Sequence, residues 1–365
     1  MKIDSNILDR QFQAYQNEYE AAALRVLRSG TYVLGDEVAA FEQEFADFIG
    51  AKYCIGVNSG LDALILGMKA LGIGPGDEVI VPANIYIAVA MGITANGATP
   101  VFVEPDTYYN IDTSKIEQAI TPKTKAILPV HLFGQACNMP EIQKIAEKYD
   151  LFVVEDCAQS PGCCFDNQMT GTFGDIGCYS FHPAKSLGAF GDGGAVITSN
   201  AEVAEQVQML RNYGNKVRHH NEVMGMNSRL DEIQAALLSV KLSHFKELTD
   251  ERLKIAARYL AEIENPRIIL PETRKGADHV YHQFVVRCTR RDDLQDHLSD
   301  AGIKTMVHYR VTPHLAKCYA DLEFRCGDFP ITEKYSNEIL SLPMFNGITD
   351  EEMTYIIDTI NHFEL

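Results

Sequence analysis

The sequence predicts an α/β protein: a large unit over residues 1–245 with a mostly parallel sheet flanked by helices, then a smaller α+β unit over 246–365. Three observations predict it. Apolar runs alternate with helix-period segments from residue 52 to residue 156, the pattern of right-handed βαβ units. One run, Phe152-Val153-Val154-Glu155-Asp156, ends in acid, as a buried strand does when it carries a carboxylate to the sheet edge where ligands bind. From His279 on, the order changes to strand, helix, strand and terminal helices.

Taken in order, residues 11–29 read as a helix ending at Gly30, and a Gly-flanked turn, Gly30–Gly35, leads into the amphipathic helix Asp36–Ile49. Lys52–Val57 is a strand, followed by Asn58-Ser59-Gly60 and the apolar-periodic helix Leu61–Leu71. Strand, small polar residues with glycine, then helix supplies free backbone N–H groups and a positive helix end, which suit an anion. Glu78–Val81, Pro100–Glu104 and Ala126–Val130 read as strands, Thr113–Ala119 and Pro140–Tyr149 as helices. His131, at a strand mouth, reads as a loop histidine bonded to backbone rather than a catalytic group. A long helical stretch over 229–263 bridges to the second unit, where Tyr281–Cys288 and Lys304–His308 are expected strands. Asp292–Ala301, Thr332–Leu340 and Asp350–Phe363 are expected helices.

Hydrophobic content of 46% with 22% charge is that of an ordinary globular chain. A net charge of −18 argues against nucleic acid, whose affinity comes from neutralising phosphates, and against an anionic membrane surface. It leaves room for an anionic small substrate held by local cations. Nine cysteines without a CxxC pair read as reduced core thiols, with no metal site. Adjacent His219 and His220 point apart and read as solvated. The opening MKIDSNILDRQFQ lacks the apolar stretch of a signal peptide, and no run approaches the ~20 residues of a membrane span, so a cytoplasmic location is expected.

The chemistry concentrates in residues 152–194. Asp156 stands at a strand mouth. Lys185 stands between the β-rich Cys178–Phe181 and a turn carrying Gly188, Gly191, Gly193 and Gly194. Such a pair suits pyridoxal phosphate, which needs a lysine to bond its aldehyde and a carboxylate to keep its ring nitrogen protonated. The pieces EDCAQ (155–159), SFHPAK (180–185) and GDGG (191–194) resemble the DegT-like sugar aminotransferases, pyridoxal-phosphate enzymes of the aspartate aminotransferase fold type that aminate nucleotide-linked keto sugars. The resemblance runs through nearly the whole chain.

What the resemblance implies is specific. Lys185 and Asp156 are the catalytic pair. The cofactor phosphate falls to the backbone amides of Gly60 and Leu61 and to Ser180; the family has a small hydroxyl residue where Leu61 stands. Tyr86 stacks on the ring, Gln159 lies against it, and Asn227, in a signature around residues 225–236, reaches the phosphate of a neighbouring subunit in a homodimer with shared sites. His182 lies near the substrate. His308 and Tyr309 match the family's HYPxPxH stretch, with Arg310 in place of its proline. Lys216, Arg218 and Arg310 are candidate cations for a substrate diphosphate. The implied reaction moves an amino group, with glutamate the expected donor, onto a nucleotide-linked, expected dTDP-linked, 3-keto-6-deoxyhexose, a step suited to deoxyamino sugar synthesis for lipopolysaccharide or O-antigen. The C-3 choice rests on likeness in NSRLDEIQAALLSVKL (227–242) and LSLPM (340–344). A C-4 enzyme, a keto-cyclitol aminotransferase, a non-catalytic relative and a cofactor-free α/β binding protein stand as alternatives. So does a sugar dehydratase, although dehydratases of this type carry histidine where Lys185 stands.

Overall fold

The computed structural model describes residues 1–217 and 219–364. Seven strands form the main sheet in the order Tyr53–Val57, Gly194–Thr198, Ile176–Ser180, Phe152–Asp156, Thr124–Ile127, Glu78–Pro82, Thr99–Val103. The last five run parallel, while Gly194–Thr198 is antiparallel to both its neighbours. The α/β architecture with a mostly parallel sheet is therefore the one the sequence predicts.

Burial on both faces explains the unbroken apolar runs. In Phe152–Asp156, Val153 joins a cluster with Ile142 and Ile145 of the helix Met139–Tyr149. Val154, one residue on, joins a cluster on the opposite face with Leu64 and Met68 of the helix Gly60–Ala70. The helix Asp36–Ile49 buries Val38, Phe41, Phe45 and Ile49 at helical spacing and stops where Gly50 turns left-handed, φ 81°. Its N-terminus is closed from a distance: the buried Glu232 carboxylate accepts from the N–H groups of Gly35 (2.7 Å), Glu37 (3.0 Å) and Val38 (3.0 Å).

A second core gathers Tyr259, Phe284, Leu294, Leu298, Leu340 and Ile356. Its sheet pairs Phe284–Arg287 antiparallel with Ile339–Leu342. Ile3 is buried in the same core, so the first residues of the chain pack with its C-terminal third.

Several expected elements come out differently. The helix over 11–29 is two helices, Leu8–Ala14 and Gln16–Ser29, broken at Tyr15, whose ring stacks on His244 at 3.9 Å. The stretch 229–263 breaks opposite it, into Glu232–Ser243 and Phe245–Glu262. Thr113–Ala119 holds two short 3-10 turns, and the strand expected over Ala126–Val130 runs instead over Thr124–Ile127. Lys304–His308 is not a strand; only Met306 bridges to Ser341. The end of the expected helix Thr332–Leu340 is instead strand, because Ile339 and Leu340 complete the ladder with Val286 and Arg287.

Candidate active site

Alternation along Phe152–Asp156 sends its two acids to different fates. Glu155 is wholly buried, and its oxygens accept from the N–H groups of Gly171, Phe173 and Gly174, each at 2.8 Å, and approach His131 Nε2 at 3.0 Å. His131 Nδ1 accepts from the Cys137 N–H at 3.0 Å, so Nε2 carries the proton and donates to Glu155. This histidine is thus bonded to backbone, as its sequence context suggested. Cys157 also lies close to His131 and Glu155, but the Glu155 oxygens are taken up by four donors, and burial pushes the thiol well above its usual range.

Asp156 faces a cavity of about 850 Å³. One of its oxygens accepts from the Ala158 N–H at 2.9 Å. Burial raises its pKa above the ordinary carboxylate value, with the Ala158 hydrogen bond and the charge of Lys185 opposing. A carboxylate so placed is stabilised by any further cation beside it.

Lys185 lies in the same cavity wall, on a tight turn whose Lys185 N–H donates to the His182 carbonyl at 2.8 Å. A side chain at Gly188 would put Cβ 2.4 Å from the Pro183 carbonyl oxygen, so the turn closes only around glycine. The buried Lys241 ammonium donates to the Gly188 carbonyl at 3.1 Å and pins the turn from behind. Burial lowers the Lys185 pKa, against the pull of Asp156. A larger fraction of neutral amine results, the form that attacks a carbonyl.

The anion end is built as its sequence suggests. Ser59 caps the helix Gly60–Ala70, its hydroxyl accepting from the Asp62 N–H at 3.1 Å. The N–H groups of Gly60 and Leu61 have no protein partner among the described residues. A Cβ at Gly60 would fall 2.5 Å from Ser180 Cβ and 3.0 Å from its hydroxyl oxygen. Two free amides and a hydroxyl therefore converge in a cradle that only glycine leaves open, the donor set a phosphate needs.

Tyr86, half exposed, tilts against Tyr309 with ring centroids 5.0 Å apart. Gln159 links the two sides of the cavity: its oxygen accepts from the Phe133 N–H at 2.7 Å and its amide donates to the Tyr309 hydroxyl at 3.2 Å. His308 Nδ1 meets the Ser341 hydroxyl at 2.8 Å, and burial, helped by the Lys185 charge, lowers its pKa to about 4. His182 is exposed at the wall. An aldehyde-bearing pyridine phosphate fits this set: Lys185 for the aldehyde, Asp156 for the ring nitrogen, Tyr86 and Gln159 for the ring, and the Gly60–Ser180 cradle for the phosphate.

Three predicted residues are not in this wall. Asn227 is exposed and bridges to Asn212. Lys216 is ion-paired with Glu205 on the surface. Arg310 reaches Asp292 at 3.2 Å and Gln295 at 3.0 Å. Arg218 lies outside the described residues. Conversely, Ser5, Asn6, His282 and Met306 line the cavity and were not singled out from sequence. They fall in no motif, and the first two are brought in by the tethering of the N-terminal segment, with Ile3 packed into the second core.

Residues 13–361 match the model of the DegT/DnrJ/EryC1/StrS aminotransferase family. A dTDP-3-amino-3,6-dideoxy-alpha-D-galactopyranose transaminase of Aneurinibacillus thermoaerophilus is 50% identical over 350 residues, 96% of each chain. The structure of S. venezuelae DesV in complex with a ketimine intermediate superposes with a TM-score of 0.97 at 42% identity, covering 99% of this chain and 98% of that one. NtdA from Bacillus subtilis, with bound cofactor PMP, superposes with a TM-score of 0.89 at 33% identity, covering 98% and 83%. The chain belongs to the DegT/DnrJ/EryC1/StrS aminotransferase family, and is a pyridoxal-phosphate-dependent sugar aminotransferase.

Proposed function

We propose that the enzyme aminates C-3 of a dTDP-linked 3-keto-6-deoxyhexose, with glutamate as donor, in a homodimer whose active sites are shared. The observation that carries the reaction is the meeting of Lys185 and Asp156 in one cavity beside the Gly60–Ser180 cradle. The sugar and the carbon rest on the Aneurinibacillus relative, whose name specifies a 3-amino-3,6-dideoxy sugar on dTDP.

When bound, pyridoxal phosphate supplies an aldehyde that carries the amino group and a ring that accepts electrons. The chain's residues do the rest. Lys185 would hold the aldehyde, would take the proton from the donor's Cα and, in the second half, would deliver a proton to C-3 of the sugar. Asp156 holds the proton on the ring nitrogen. Gly60, Leu61 and Ser180 fix the phosphate, so that Lys185 addresses the same atoms in both halves. Assaying 3-keto and 4-keto dTDP-hexoses side by side and locating the new amine by NMR tests the substrate. The expected result is amination at C-3; amination only at C-4 would overturn the position.

The shared site is supported by charge. Lys185 is the sole Lys or Arg among the described residues of the wall, whereas a nucleotide diphosphate brings about two negative charges into a chain of net charge −18. Cations from a second copy, with Lys216 and Arg218 the candidates, complete such a site. Asn227, exposed in its own subunit, is free to reach the neighbour's phosphate. Sedimentation at assay concentration is expected to give a dimer, and an active monomer would remove the shared-site model.

A further inference from the structure

The cavity has two chemically distinct sides. Its charged wall residues, Asp156, Lys185 and Asp192, all come from the segment 156–192. The other side is assembled from the N terminus and from residues 306–344, and carries no charged side chain. It combines Met306, Leu342 and Met344 with Ser5, Asn6 and His308. His308 belongs with the neutral groups, since burial keeps its imidazole uncharged near pH 7.

Ser5 and Asn6 sit on a strap tethered at both ends. Before them, the Ile3 N–H donates to the Gly302 carbonyl at 2.9 Å, and the Ile3 carbonyl accepts from Lys304 at 2.9 Å. After them, the Arg10 guanidinium clasps the Glu352 carboxylate with bonds of 2.6 and 2.7 Å and donates to the Gly347 carbonyl at 2.8 Å. The Ser5 carbonyl accepts from the Met344 N–H at 3.4 Å, which sets the strap directly beside the apolar part of the facet. Neither the Ser5 hydroxyl nor the Asn6 amide has a side-chain hydrogen bond to protein among the described residues, so both are available to a ligand.

Fixed backbone with free side chains is the arrangement of a recognition element, because little ordering cost attaches to binding. The chemistry of the pair selects the ligand. A hydroxyl and a carboxamide each donate and accept, as sugar hydroxyls do, whereas a carboxylate or diphosphate calls for cations. We propose that Ser5 and Asn6 of the N-terminal strap are specificity residues that hydrogen-bond the ring hydroxyls of the keto sugar, with its deoxygenated carbon against Met306 and Met344. This deepens the substrate reading above and rests on it.

The test is a Ser5→Ala/Asn6→Ala double variant of the full-length holoenzyme. Both side chains are at the surface of the cavity rather than in a core, so the variant is expected to fold and to keep its melting temperature. Loss of two neutral hydrogen bonds to a non-reacting part of the substrate is expected to raise KM for the dTDP-linked 3-keto-6-deoxyhexose about tenfold or more, with kcat within about threefold. The donor half-reaction, followed by absorbance with the amino acid alone, is expected to match wild type. A KM within about twofold of wild type, or an equally slowed donor half-reaction, overturns the proposal. Wild-type enzyme that rejects every dTDP-linked 3-keto hexose sinks the substrate reading before any variant is made, and the strap comparison then runs on the nucleotide keto sugar it does accept. Turnover of no nucleotide sugar at all overturns both.

Discussion

Replacing Lys185 by alanine is expected to cut transamination by at least about a thousandfold while leaving the fold intact. In the proposed reaction the amine serves twice, as the covalent anchor of the cofactor and as the base and acid that moves the proton, and no second amine lines the described wall to replace it. The buried Lys241 is held by the Gly188 carbonyl and lies outside that wall. Stability should change by less than about 1 kcal/mol, because truncation empties a solvent-connected cavity rather than a packed core. Three readouts check this: kcat, the absorbance of the purified protein, and release of cofactor on dialysis, which the variant should permit because its covalent link is gone. Near-normal turnover would sink the assignment.

Asp156→Asn is expected to retain cofactor but lose about a hundredfold or more in kcat. The amide is isosteric and its oxygen can still accept from the Ala158 N–H, so the geometry survives. What disappears is the negative charge, and charge-assisted hydrogen bonds are about twice as strong as neutral ones. Stability should move the other way. Burial raises the folded-state pKa of Asp156, so ionising it costs the cofactor-free protein stability above the unfolded pKa, and that cost is relieved as pH falls through the folded value. Asparagine removes the cost at neutral pH. The cofactor-free variant should therefore melt at or above the wild-type temperature, and its advantage should fade in acid. Unchanged turnover with an unchanged spectrum would reduce Asp156 to a turn residue.

The meeting of Asp156 and Lys185 in one cavity was legible in the sequence because of where their segments deliver them. A buried strand that ends in acid and a lysine ahead of a glycine-rich turn both point to the ligand edge of the sheet, and the Gly188 close approach shows why glycine is needed in that turn. The parallel sheet was legible for a similar reason: strands buried on both faces must be apolar throughout. Helix ends were not, since the breaks at Tyr15 and His244 depend on one ring finding the other across the fold. Lys304–His308 looked like a strand by composition, yet Ile339–Leu342 already pairs with Phe284–Arg287, and Met306 gains a single bridge. Glu155 was invisible as a structural hub, because its four donors come from residues 131 and 171–174, which no local pattern ties together. Ser5 and Asn6 gave no signal, since a strap's importance lies in where it is tied down.

The order in which the sheet closes governs when the enzyme can first hold its cofactor. Tyr53–Val57 has one neighbour in the sheet, Gly194–Thr198, and the cradle that follows it is completed by Ser180. Pairing so distant in sequence forms slowly, because a long loop must close before contacts reward it. A chain emerging from the ribosome therefore shows the strand and the glycine of this cradle long before it has the residues that shape them. Ligand binding stabilises only the states that bind, so cofactor supply can rescue late unfolding but cannot template early assembly. Until the antiparallel strand arrives, the edge at Tyr53–Val57 lies open, and it is there that a stalled or truncated chain is most exposed to wrong pairing.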